Sequence, residues 1–298
     1  MKKNYHYNLI RYCLALALLT PVFLANAQNT LYDNGLLFNS SGTGAGGANE
    51  SILYSTSLGM GTIGFGAQQS AFNRVADDFT ISDCKWNVDS IVFFCYQTNS
   101  TTTSTITAIN FRIWDGFPED AASTLVYGDT TNNFLTSSTW SGVYRVIETT
   151  SGNTARPIMR NVCAVPGLTL NGGNFWIDWS YAGTLGSGPW APPIVILNTS
   201  TTGNGMQKTT SGWNNALDGG IGSPQQGFPF IIYGSVPHTF GTDTRTECNS
   251  YTWIDGNTYT SSNNTATFNI VGGAANGCDS LVTLDLTINN SATGTDTR

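Results

Sequence analysis

Apolar and polar positions alternate with a period of two along most of this chain. In residues 175–181, Phe175, Ile177, Trp179 and Tyr181 fall on one side and Trp176, Asp178 and Ser180 on the other, the pattern of a half-buried strand. Further strand-like runs lie at 76–81, 86–97, 107–114, 124–128, 142–148, 158–162, 174–181, 194–198 and 228–234, with Gly, Asn and Ser turns between them. Residues 90–96 (S-I-V-F-F-C-Y) are apolar on both sides, which predicts a central strand covered on both faces. No helical periodicity of useful length interrupts the series. The pattern predicts an all-β fold: a large antiparallel, jelly-roll-like β-sandwich over residues 28–238, then a small β-sandwich module over 239–293.

The small module has its own pattern. Tyr251 and Trp253 share one side of a run that turns at Asp255-Gly256. Ala266, Phe268 and Ile270 alternate with Thr265, Thr267 and Asn269, and Val282, Leu284, Leu286 and Ile288 alternate with Leu281, Thr283, Asp285 and Thr287. The string GTDTR stands at Gly241–Arg245 and again at Gly294–Arg298, so 294–298 reads as the opening of a further repeat and the chain as part of a longer multi-repeat protein. Fifty-odd residues make a marginal core, and a covalent staple is expected. Cys248, before the first run, and Cys278, at the start of the last, are assigned to it. They would close a loop of about 30 residues, worth roughly 3.5 kcal/mol on the chain-entropy model. A continuous strand from Cys84 to Cys95 would hold their Cα atoms roughly 36 Å apart, far beyond disulfide reach. Cys84 is therefore paired with Cys163, leaving Cys95 as a buried thiol.

Composition supports strands over helices. Only 10% of residues are charged, against roughly 25% in ordinary soluble proteins, and Ser, Thr, Asn and Gly take their place. Residues 1–27 read as a secretory signal: Lys2, Lys3 and Arg11, an apolar run over 13–24, and the small-residue box Ala25-Asn26-Ala27. Without them nine basic residues face nineteen acidic ones, a net charge of −10. That balance, with no basic cluster in sequence, offers nothing to nucleic acid or an anionic membrane. The apolar run is also too short to span a bilayer. A secreted or cell-surface location is expected, where disulfides persist.

The stretch C-x-S-Y-T-W-x-D-G-x-T-Y-T, followed by A-N-G-C-D-S-L-V-T-L-D-L-T-I, resembles the tandem Ig-like repeats of secreted and cell-surface modular proteins of Bacteroidetes over residues 245–289. The resemblance implies an Ig-like fold for the small module and a place among stalk repeats of adhesin-like proteins or beside secreted enzymes. The larger region resembles a secreted bacterial β domain of uncertain function. The stretches that carry this are V-A-D-D-F-T (75–80), R-I-W-D-G (112–116), W-S-x-x-Y-R-V (140–146), S-G-P-W-A-P-P (187–193) and Q-G-F-P-F (226–230). It implies fold and secretion, and no activity.

Chemistry is sparse. Outside the signal the one histidine is His238, in the P-H-T-F joint, a poor position for a triad base and too few for His₂ or His₃ zinc. The P-loop, G-x-S-x-G and H-E-x-x-H motifs are missing. Carboxylates remain. Asp178, between Trp176 and Ser180, is the most notable, with a hydrogen-bonded sheet-face Asp as the competing reading. Asp77 and Asp78, with Asp115, Glu119 and Asp120 of the D-G-F-P-E-D loop, are candidate oxygen ligands for Ca²⁺; solvated surface carboxylates are the alternative. Trp140, Trp190 and Trp213 sit in Ser/Gly/Asn/Pro loops suited to stacking on sugar rings, unless each folds back onto the sandwich. With Trp176 and Asp178 they form the candidate ligand-binding set. The leading expectation is a non-catalytic adhesion or binding protein whose head recognises a polysaccharide or surface glycan. A secreted carboxylate-dependent hydrolase and a purely structural stalk protein are the alternatives.

Overall fold

The computed structural model describes residues 29–82, 84–275 and 277–290. The expected signal segment and the second GTDTR string lie outside the described residues. In chain order the strands of the large domain are β1 (Asn29–Asp33), β2 (Asn49–Leu53), β3 (Phe65–Gly66), β4 (Arg74–Ile81), β5 (Trp86–Cys95), β6 (Ile106–Trp114) and β7 (Leu125–Gly128). Then follow β8 (Leu135–Ile147), β9 (Pro157–Leu170), β10 (Gly173–Gly183), β11 (Trp190–Ala191), β12 (Met206–Thr209), β13 (Gly212–Asn215) and β14 (Phe230–Ser235). The small module has β15 (Thr239–Cys248), β16 (Tyr251–Thr252), β17 (Thr258–Tyr259), β18 (Thr267–Ile270) and β19 (Ser280–Asn289).

Two six-stranded sheets, ordered β1-β14-β5-β9-β8-β2 and β13-β12-β4-β10-β6-β7, form a β-sandwich. All neighbours within them are antiparallel except β2 and β8. The inward row of β10, Phe175, Ile177, Trp179 and Tyr181, meets Ile91, Phe93 and Cys95 of β5 in one buried core. Phe93 and Trp179 stack across the gap with ring centroids 4.8 Å apart. The doubly apolar β5 lies inside its sheet, between β14 and β9. Its outward residues Val92 and Phe94, and Tyr96 just past its end, are covered by Leu37, Phe38 and Trp190, which is why this strand needs no polar face.

The expected run 194–198 is irregular. Pro192 and Pro193 remove two consecutive N–H donors ahead of it. Ile194 N–H instead goes to Gly227 O and Val195 N–H to Leu36 O, so the segment packs as a strap.

In the small module β15 runs parallel to β19, and β18 pairs antiparallel on the other side. Trp253, Leu284 and Leu286 are its buried centre, with Tyr251, Ala266, Val282 and Ile288 packed around them. Phe268 and Ile270 are partly exposed. The GTDTR string lies in β15. Its Asp243 accepts hydrogen bonds from Trp253 Nε1 (2.9 Å) and Arg245 Nε (2.8 Å), which fastens the strand to the core tryptophan.

Both expected disulfides are corrected. Cys84, in the β4–β5 turn, bonds Cys278, just ahead of β19, with Cα atoms 4.6 Å apart. The parallel pairing sets Cys248 beside Asn289, whereas Cys278 lies next to the other end of β15, where Thr239 pairs with Ser280. Ten residues of extended chain separate those ends by roughly 30 Å, so Cys248 is an exposed free thiol. Cys163 points into the inter-sheet core from the middle of β9, out of reach of a turn. It and Cys95 are buried free thiols.

Candidate functional site

Strand register assembles one polar cluster on the outer face of the second sheet. Trp213 of β13 pairs with Lys208 of β12, and Lys208 with Arg74 of β4. Asp178 of β10 lies between Ala76 of β4 and Arg112 of β6, and Ser180 opposite Asn110. Alternation sends Val75 and Phe79 inward, and so sends Arg74 outward. In the same way Ile109, Phe111 and Ile113 face the core, which turns Asn110, Arg112 and Trp114 to this side.

Asp178 is fully buried beneath the cluster. It accepts hydrogen bonds from Arg74 Nε, from Arg112 Nε (3.1 and 3.2 Å to its two oxygens) and from Trp114 Nε1 (2.7 Å). Arg74 also donates from Nη1 to Asn110 Oδ1 (2.5 Å) and Ser180 Oγ (3.0 Å). Burial pulls the Arg74 guanidinium below its usual value, against Asp178 and with Arg112. Above them Glu119 bridges Arg112 Nη2 (3.0 Å) and Lys208 Nζ (2.6 Å). Burial pushes the Glu119 carboxyl up, but hydrogen bonds from Lys208 and Arg112 outweigh it and hold it below its ordinary value.

A cleft of about 450 Å³ opens over this network, lined by Arg74, Arg112, Lys208 and Glu119 together with Gln69, Phe72, Asn73 and Thr130. Three of the chain's twelve basic residues thus meet in one place. Gln69 Nε2 is used on Ser180 O (3.3 Å) and Asn73 Nδ2 on Gln68 Oε1 (3.0 Å). Their side-chain amide oxygens, and Arg112 Nη1, have no hydrogen-bond partner among the described residues. Phe72, at the end of a short 3₁₀ turn, is 78% exposed with φ of 56°. A bulky side chain in left-handed backbone is an outlier, and Glu119 shares that conformation with φ of 63°.

The expected tryptophans divide. Trp213 and Trp176 lie on this face, each edge-on to Phe117 with ring centroids 6.0 and 5.2 Å apart. Trp213 Nε1 is buried without a partner among the described residues. Trp140 is elsewhere, packed on Tyr144 with its Nε1 bonded to Val143 O (3.2 Å). Trp190 is held in the short strand pair β3–β11, against the cover of β5. The three loop tryptophans therefore have separate surroundings: Tyr144 for Trp140, the cover of β5 for Trp190 and Phe117 for Trp213.

The five carboxylates named as candidate calcium ligands are not brought together. Among the described residues no three metal-ligating side chains converge, and the five carboxylates are occupied separately. Asp77 is on the inward side of β4, where it accepts from Phe228 N (2.6 Å) and Asp78 N (2.9 Å). Asp78 takes Asn204 Nδ2 (2.9 Å). Asp115 and Asp120 pin their own loop through Thr124 N (2.5 Å) and Ala122 N (3.1 Å), and Glu119 holds Arg112 and Lys208.

Phe72, Arg74, Arg112 and Lys208 were not singled out from sequence. The available signal was polar residues on alternate positions of otherwise apolar strands (Asn110 and Arg112; Asp178 and Ser180) in a chain this poor in charge. Comparison of the chain with protein families, curated proteins and solved structures returns no match. Among the described residues no helix is long and apolar enough to cross a membrane.

Proposed function

We propose that this is an extracellular, non-catalytic glycan-binding protein whose ligand occupies the cleft over Arg74, Arg112 and Lys208, with the Ig-like module as part of a stalk. The carrying observation is Phe72, an exposed aromatic in a strained backbone beside unused donors and acceptors. Residues held in sparsely populated conformations cluster at binding sites. A sugar ring offers an apolar C–H face to an aromatic and hydroxyls to a mixed polar set. Gln69, Asn73 and Arg112 supply both hydrogen-bonding senses, and the volume is within the range of ligand sites.

The carboxylates favour binding over turnover. A glycosidase pair needs one carboxyl to give or take a proton at the scissile bond. Asp178 is buried and saturated by three donors, and Glu119 is clamped between two cations. A disulfide between the two domains suits an oxidising compartment. Glycan-array binding of the full chain, repeated with Phe72→Ala, tests the reading. Binding that falls at least about tenfold, equivalent to 1.4 kcal/mol, with unchanged melting is expected. Absence of binding to any glycan, or sugar release from a polysaccharide, overturns it.

A further inference from the structure

Arg145 is fully buried in β8 of the first sheet, remote from the cleft residues in sequence and on the opposite sheet. Its Nε donates to Ile63 O (2.7 Å) and its Nη1 to Ser51 Oγ (3.1 Å) and Ser51 O (3.4 Å). Neither partner is charged, and no carboxylate forms an ion pair with it among the described residues. Its Nη2 has no acceptor there at all.

A second orphaned donor belongs to Tyr96, which acts electrostatically on Arg145. Tyr96 Oη, on a side chain 1% exposed, also lacks a partner among the described residues. The two converge on one dipeptide: Arg145 Nε binds the Ile63 carbonyl, and a Cβ on Gly64 would overlap Tyr96 Oη. Gly64 therefore leaves the space that the hydroxyl occupies.

The charge around this point is positive. Arg156 is adjacent, its backbone carbonyl accepting Arg145 N–H (2.9 Å). Asp218 is the carboxylate that acts on Arg145, yet its oxygens are taken by the amides of Gly61 (2.7 Å), Thr62 (2.9 Å) and Gly220 (2.7 Å). Burial pulls the guanidinium down to about 10, so it still carries its charge at neutral pH. A buried charge without a hydrogen-bonded counter-ion is unfavourable.

We propose that Arg145 Nη2 and Tyr96 Oη together hold one buried monatomic anion, with chloride as the ion of the right size and charge. A water molecule would accept both hydrogen bonds but add no negative charge, leaving Asp218 alone against Arg145 and Arg156. Close packing disfavours a polyatomic anion: both side chains are buried, and even a Cβ on Gly64 would overlap Tyr96 Oη.

The test uses the full chain. Crystals grown with bromide in place of chloride should show an anomalous peak within hydrogen-bonding distance of Arg145 Nη2 and Tyr96 Oη; an ordinary water there, without anomalous signal, overturns the proposal. Thermal melting in sodium chloride should exceed that in sodium gluconate at equal ionic strength. A site saturated about 100-fold raises the melting temperature by roughly 5 °C in a chain of this size. Tyr96→Phe keeps the ring and should shrink that difference, whereas equal melting of the unaltered protein in the two salts overturns the proposal. Arg145→Met should abolish the difference if it folds, and the Tyr96→Phe and bromide measurements decide the matter if it does not.

Discussion

Phe72 and Glu119 stand on two different loops that border one cleft, and both hold a left-handed backbone, with φ of 56° and 63°. Left-handed backbone costs a residue with a Cβ roughly 1–2 kcal/mol, so each conformation is imposed by its surroundings. For Glu119 these are the cations of Arg112 and Lys208. For Phe72 they are the backbone bonds Phe72 N–H to Gln69 O (3.1 Å) and Asn73 N–H to Gln68 O (3.0 Å). The phenyl ring itself gains little from burial, being mostly in solvent. A side chain that is strained and exposed at once points to a use outside folding.

Phe72→Gly separates that use from stability. Glycine occupies left-handed backbone without the Cβ penalty, and the lost ring leaves no cavity. The variant should melt about 2–4 °C higher, while glycan binding falls at least about tenfold. Differential scanning calorimetry and a binding titration check the two halves. A lower melting temperature would place Phe72 among the packing residues.

Asp178 is expected to behave in the opposite way. Asp178→Asn removes the buried carboxylate that pairs with both Arg74 and Arg112 and turns an N–H₂ toward their donors. Breaking a buried ion pair on one side typically costs 3–5 kcal/mol. Chemical denaturation should show a loss of that order, with weaker glycan binding following from the displaced arginines. A variant as stable as the parent would mean that the pair is not formed.

Alternation made the fold legible in the sequence. β10 and the doubly apolar β5 could be read directly, because each residue's side of a strand follows from its parity. Pairing across the sheet cannot be read this way. Nothing local says that Lys208 meets Arg74, or that Cys278 meets Cys84 across 194 residues. The aromatic signal misled for a related reason. Trp140, Trp190 and Trp213 have polar neighbours in sequence, yet their surroundings are set by Tyr144, the cover of β5 and Phe117, which sequence places far away or gives no reason to pair. The burial of Asp77 was not legible because an inward carboxylate contradicts its strand's own pattern, and its partner Phe228 N–H comes from a distant segment.

Asp77 gives the fold a pH dependence. Burial raises its carboxyl to about 7, against hydrogen bonds from the Phe228 and Asp78 amides; in the unfolded chain it titrates near 3.9. Between those values the folded protein binds a proton that the unfolded chain does not. Its contribution is therefore fully present below about pH 4 and is lost as pH rises through 7, by on the order of 4 kcal/mol. The carboxyls held below their usual values, such as Glu50 and Glu119, change at more acid pH and leave this window clear. Melting from pH 5 to pH 8 should fall in the unaltered protein. Asp77→Asn should start lower, since its N–H₂ faces an amide, and lack this slope. Equal slopes would assign the effect to another group.

Cys84 and Cys278 tie the turn between β4 and β5 to the start of β19, so the bond joins the sandwich to the small module. Five cysteines follow the expected signal segment, and their surroundings separate them. Cys248 is exposed, whereas burial raises the thiols of Cys95 and Cys163 well above the ordinary range. The thiolate is the reactive form, so in protein beginning at residue 28 one thiol should be alkylated promptly in the native state and two more only on unfolding. The last two become available after reduction. Non-reducing peptide mapping should recover the peptides of Cys84 and Cys278 linked, with Cys248 carrying the native-state label. Linkage of Cys248 to Cys278 would contradict the parallel pairing of β15 with β19, since that pairing holds the two cysteines at opposite ends of the strand pair. Cys278→Ser should leave the core thiols Cys95 and Cys163 protected while freeing Cys84 for labelling, because the bond lies outside the sandwich core. Exposure of all three would show instead that the sandwich depends on the bond to stay folded.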